Sequence, residues 1–98
     1  MCGATTERLS LEGVDVAKEA VIQGTVSSAG QPVPGAFVRL LDSSGEFTAE
    51  VVTSATGAFR FFAAPGSWTV RALSVIGAAQ STVTAERGAV AETTIDLP

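Results

Sequence analysis

Turn-forming residues cut this chain roughly every ten residues, and that spacing limits each element to strand length. The punctuation runs through Gly30 and Pro32, Asp42 to Gly45, Gly57, Pro65-Gly66, Gly77 and Gly88. The segments between are rich in β-branched and aromatic residues, which suit a pleated sheet. They predict seven strands, at 21–26, 36–41, 47–53, 58–62, 67–73, 78–85 and 90–97. No apolar stripe of helical period and length occurs after residue 20, so helical bundles and α/β layers are excluded. Many short, evenly spaced strands indicate an all-β sandwich or barrel. Residues 1–19 carry Glu7, Glu12, Asp15 and Glu19 among alternating Leu9/Leu11 and Val14/Val16, a pattern that predicts an extended N-terminal arm before a sandwich domain over 20–98.

Alternation assigns faces, because successive side chains of a strand point to opposite sides. Phe59 and Phe61 share one side of their strand, opposite Arg60 and Phe62. Trp68, Val70 and Ala72 oppose Thr69 and Arg71, while Val38 and Leu40 oppose Phe37, Arg39 and Leu41. The expected core is therefore Phe59, Phe61, Trp68, Val70, Val38 and Leu40. The remaining large or charged side chains, Phe37, Arg39, Leu41, Arg60, Phe62 and Arg71, are expected to face outward together. Aromatics and Arg are enriched, and Lys depleted, at protein interfaces. That set is the candidate interface, and its three guanidinium groups also suit a small oxyanion.

The same residues fit a known pattern. Val21-Ile22-x-Gly24-x-Val26, then Gly30-x-Pro32-Val33-x-Gly35-Ala36-x-Val38-x-Leu40, resembles the opening of carboxypeptidase-regulatory-like and Cna-B-like domains. Gly57-x-Phe59-x-Phe61 followed by Pro65-Gly66-x-Trp68-x-Val70 resembles their middle, with Trp68 where a Tyr is usual, and Ile95-x-Leu97 resembles their closing strand. The resemblance implies a seven-stranded antiparallel Greek-key sandwich of transthyretin-like type. A second resemblance spans nearly the whole chain, through Met1-Cys2, Gly13-Val14-Asp15, the run Gly35 to Ser44, Glu46 to Val52 and Phe59 to Trp68. These segments are similar to a small actinobacterial family of unknown function labelled as the sulphur-metabolism protein SseC. That resemblance implies a link to rhodanese-type sulfurtransferases and supplies no catalytic residues.

Chemistry is narrowed by what is missing. The sequence has no His, Asn or Tyr and one Cys, Cys2. Without imidazole a Ser or Cys nucleophile lacks its usual base. A zinc site wants several Cys or His ligands, and no Gly-rich phosphate loop leads into a helix. The Lys–Asn crosslink of some Cna-B-like domains is impossible without Asn. Asp42, Glu46 and Glu50 read as ordinary strand-end solvation. No metal or other cofactor is implied, and the expectation is a protein without enzymatic activity.

A net charge of −4, with cations only as isolated residues, argues against nucleic acid and anionic membrane as partners. A lone Cys makes no internal disulfide, no apolar stretch reaches membrane-spanning length, and no secretory leader pattern opens the chain, so a cytoplasmic location is expected. Two functions stay open. One is a non-catalytic interaction module, bound to a protein partner such as a sulfurtransferase or to a second copy of itself. The other is a sulphur carrier in which the Cys2 thiolate accepts persulfide sulfur.

Overall fold

The computed structural model describes residues 20–98; the arm expected at 1–19, and Cys2 with it, lies outside the described residues. Eight strands follow in order: β1 (Ala20–Ser28), β2 (Gln31–Pro32), β3 (Phe37–Leu41), β4 (Phe47–Val52), β5 (Ala58–Ala63), β6 (Gly66–Ser74), β7 (Gly77–Ala85) and β8 (Val90–Leu97). The seven expected strands are all present, with ends shifted by no more than two residues. The addition is β2, a two-residue strand inside the expected first turn, where Ser27 and Ser28 pair with Pro32 and Gln31.

The strands form two stacked sheets. In sheet A, β1 is flanked by β5 and β2 on one side and by β8 on the other; sheet B has the order β4-β3-β6-β7. The chain leaves β3–β4 for β5 in the other sheet and then returns, so that β6 lies beside β3, a Greek-key path. The all-β sandwich is as expected, but one ladder differs from the antiparallel expectation. β8 pairs with β1 in parallel, from Val21↔Val90 to Ser28↔Leu97. The reason is arithmetic: seven longer strands that reverse at each turn leave the first and last pointing the same way. Once those two meet, they must pair in parallel.

Between the sheets lie Ile22, Val26, Val38, Leu40, Phe59, Phe61, Val70, Ala72, Ile95 and Leu97, all nearly or fully buried. Phe59 and Phe61 meet with ring centroids 6.0 Å apart and planes tilted by 55°, within the favoured range for aromatic pairs. Five of the six expected core residues are enclosed. Trp68 is the exception: it is half-buried and packs against the core from near the start of β6. Its indole N–H donates to the carbonyl of Ala64 at 2.9 Å, which holds a polar atom at the open end of the sandwich. Gly35 and Gly57 adopt φ of 73° and 76°, where a Cβ would be strained. The Gly57 carbonyl also accepts from the Val26 N–H at 2.8 Å, which ties the β4–β5 turn to β1.

One carboxylate serves structure. Asp42 Oδ1 accepts from the Ser44 hydroxyl at 2.6 Å, the Ser44 N–H at 2.9 Å and the Glu46 N–H at 3.0 Å, and so builds the β3–β4 turn. The Ser44 hydroxyl bond, helped by the backbone N–H groups, holds this carboxyl below the usual carboxylate range. Because the folded pKa is the depressed one, the turn gains support from the carboxylate above the ordinary Asp pKa and loses it as pH falls through the lower, folded value. Acid titration followed by NMR should show the Ser44 and Glu46 amides losing protection below the ordinary carboxylate range, ahead of the core amides. Asp42→Ala, which removes the acceptor, should show that loosened turn already at neutral pH, and unchanged Ser44 and Glu46 amides in this variant would overturn the assignment.

Candidate interaction surface

Strand register decides which outward residues meet. On the outer face of sheet B, Phe37 on β3 lies between Val52 on β4 and Leu73 on β6. Arg39 lies between Glu50 and Arg71 in the next row, and Gln80 follows on β7. Leu41 lies between Phe47 and Thr69 in the third row. Four of the six expected interface residues, Phe37, Arg39, Leu41 and Arg71, therefore share one face.

Arg60 and Phe62 do not join them. Both lie on β5 in sheet A, paired with Gln23 and Val21 of β1, and they point away from the core on the opposite side of the sandwich. Arg60 Nε donates to Gln23 Oε1 at 3.4 Å. Partial burial lowers the tendency of its guanidinium to stay charged, and its pKa falls below the ordinary Arg value. Val21, between Phe62 and Val90 on that outer face, is fully buried. The expected six-residue patch is two separate surfaces, and an anion site built from Arg39, Arg60 and Arg71 together is ruled out by this geometry.

The β3–β4 part of this face carries several exposed large apolar side chains. Phe37 is 48% exposed, Phe47 61% and Val52 57%. Scattered exposed apolar residues are normal, whereas a cluster around polar groups marks a contact site. Two of these belong to no earlier expectation: Phe47 and Val52 flank Glu50 on the edge strand. Val52 follows ordinary alternation with Glu50, whereas Phe47 reaches this face only through the register shift between Leu40 and Leu41, where Thr48 is the extra residue of a bulge.

The charges in the middle row are specific. Arg39 Nε donates to Glu50 Oε2 at 2.8 Å. Arg71 lies directly opposite Arg39 on the neighbouring strand, and like charges in that position disfavour the pair. The Arg39–Glu50 bond is half exposed and adds little to stability. Its effect is to fix the direction of two side chains between the exposed apolar residues of β3 and β4.

The edge of this sheet is open on one flank. Among the described residues only β3 pairs with β4. Beneath it, between β4 and β5, lies a depression of about 230 Å³ lined by Val51, Val52, Ser54, Ala58, Phe59 and Arg60. The other flank is closed, for β7 packs against β8 and the Ser81 and Thr93 hydroxyls meet at 2.9 Å. No three His, Cys, Asp or Glu side chains come together as a metal site among the described residues, nor does any helix there have the length and apolarity to cross a membrane.

Comparisons with known proteins bear on the family and the fold. Over 79 residues the chain is 66% identical to the uncharacterized proteins Rv0814c and Rv3118 of Mycobacterium tuberculosis, covering 79% of each chain. It is 69% identical over 72 residues to an uncharacterized protein of Mycolicibacterium smegmatis, covering 72% of this chain and 80% of that one. Among solved structures, a DUF3823 family protein of Parabacteroides merdae superposes with a TM-score of 0.65 at 16% identity, over 83% of this chain and 46% of that chain. The dioxygenase domain of a dioxygenase carbohydrate-binding protein fusion from Streptomyces sp. SirexAA-E gives 0.62 at 13% identity, over 99% and 91%. Such identities carry the β-sandwich fold alone. The model of a protein family of unknown function, DUF1416, matches residues 2–97, and the chain belongs to that family.

Proposed function

We propose that the domain is a non-catalytic protein-interaction module whose working surface is the outer face of sheet B. The supporting observation is the cluster of exposed Phe37, Phe47 and Val52 around the oriented Arg39–Glu50 pair. Aromatic residues beside Arg have the composition of interface hot spots. The partner class carried by the resemblance is a rhodanese-type sulfurtransferase, met in the cytoplasm. The relatives and the family are described only as uncharacterized, so the sulphur connection rests on that resemblance.

Two single substitutions test the surface. Phe37→Asp places a charge on the face of sheet B, and Phe62→Asp does the same on sheet A; both positions are about half exposed, so the fold should survive. In affinity purification from mycobacterial cells, wild type and Phe62→Asp should retain a shared specific protein that Phe37→Asp loses by more than about tenfold, as expected for a central hot spot. Identical retention by both variants would sink the assignment. A retained sulfurtransferase would identify the partner class, and a specific protein of another kind would remove it while leaving the surface.

A further inference from the structure

The β4 edge tells how a partner would engage this surface. Thr53 N–H donates to the Ala36 carbonyl at 2.9 Å, so alternate residues Val51 and Ala49 turn their backbone groups toward β3. Glu50 and Val52 then turn theirs toward the open side. An edge that presents such groups is a template for another extended chain. Here it also overhangs the largely apolar depression between β4 and β5, whose wall includes Val51, Val52 and Ala58. A strand added to β4 would put its inward side chains over that depression and its outward ones beside Val52, Glu50 and Phe47.

We infer that β4 accepts an extended segment of a partner protein as a fifth strand of sheet B, with a basic residue opposite Glu50 and apolar residues on either side of it. This rests on the interaction-module reading and names its mode. Main-chain hydrogen bonds supply affinity in such strand addition, and alternate side-chain positions supply specificity. The charge preference follows from the row itself. Glu50 has Arg39 on its inner side at 2.8 Å through Oε2, and its other side faces the open edge. A Lys or Arg there gives the carboxylate a second cation, and the chain's net charge of −4 favours the approach of a basic segment. The apolar flanks match Val52 and Phe47. A second copy is the poorer occupant: antiparallel pairing of two β4 strands about Glu50 would set the two carboxylates directly opposite each other.

The test uses the whole chain, labelled with nitrogen-15, and two blocked peptides, acetyl-SVVKVVS-amide and acetyl-SVVEVVS-amide. The Lys peptide should perturb the amides of Phe47–Val52 and those lining the depression, and bind about fivefold more tightly than the Glu peptide. Glu50→Lys should reverse that preference. Val52→Pro removes an outward N–H and should abolish binding, whereas Val52→Ala keeps the N–H and should retain it. Equal behaviour of the Pro and Ala variants, no preference between the peptides, or perturbation away from β4 would overturn strand addition. Self-association of the chain through β4 in sedimentation would overturn the partner in favour of a second copy. If strand addition fails while Phe37→Asp still strips a partner in affinity purification, the surface stands without this mode; if both fail, both fall.

Discussion

Gly24→Ala should lower stability by about 3 kcal/mol, a large share of the total for a domain this size. The direction is opposite to what local preference suggests. In a strand interior Ala is the better residue by roughly 0.5–1 kcal/mol, since Gly loses more freedom on folding. Gly24 lies between Phe59 on β5 and Thr93 on β8, with its missing side chain directed into the sandwich. An added Cβ would fall inside the van der Waals shell of the Thr93 carbonyl oxygen and 3.0 Å from the tip of the Phe59 ring. A ring can shift slightly, but a carbonyl held in a parallel ladder cannot move without carrying β8 away from β1. The loss should therefore appear both as a lower Tm and as faster amide exchange concentrated in β8, around Ile95 and Leu97. A neutral or raised Tm would mean that the two backbones do not approach as described.

How much of this was legible depends on what alternation and punctuation can encode. Turn residues marked all seven longer strands, because Gly, Pro and Asp act locally and the turn is made where they stand. Alternation gave the inward set correctly for Phe59, Phe61, Val38, Leu40 and Val70. It placed Trp68 inward too, but alternation assigns a side and is silent on distance from the end of the sandwich. Trp68 sits two residues into β6, where its indole N–H reaches the Ala64 carbonyl and the ring is only partly buried.

The candidate surface split for a related reason. Phe37, Arg39 and Arg71 point outward, and so do Arg60 and Phe62, yet outward is defined relative to each strand's own sheet. Sheet membership comes from long-range pairing, and β5 pairs with β1 while β3 pairs with β6. Nothing local in Ala58–Ala63 distinguishes those partners. Phe47 was missed because the bulge at Thr48 breaks the count of two on which face assignment relies, whereas Val52 shares a face with Glu50 by plain alternation and was within reach. The parallel β1–β8 ladder was within reach, since an odd number of reversing strands fixes the relative direction of its ends.

Thr53→Val should cost about 2–4 kcal/mol, although it looks conservative and Val favours strands. Thr53 is the one buried polar residue among the described residues, at 6% exposure. Its hydroxyl accepts from the Ala36 N–H at 2.9 Å and donates to the Val33 carbonyl at 2.7 Å. The main chain adds Thr53 N–H to the Ala36 carbonyl at 2.9 Å and Gly35 N–H to the Thr53 carbonyl at 3.2 Å. A single side chain thus joins the end of β4 to the segment that carries the chain from sheet A into sheet B. Val fills the same space but leaves the buried Ala36 N–H without an acceptor, and an orphaned buried donor costs more than a made bond contributes. At roughly 4–8 °C per kcal/mol for a domain near this size, Tm should fall by about 8–32 °C. Thr53→Ser keeps the hydroxyl and gives up one methyl, so its cost should stay near 1 kcal/mol. The ordering wild type, Ser, Val isolates the hydroxyl from both volume and strand propensity. A Val variant as stable as the Ser variant would show that the hydroxyl bridge contributes nothing to holding β3 and β4 in register, and with it the alignment of Phe37 beside Val52 and Arg39 beside Glu50 would need another cause.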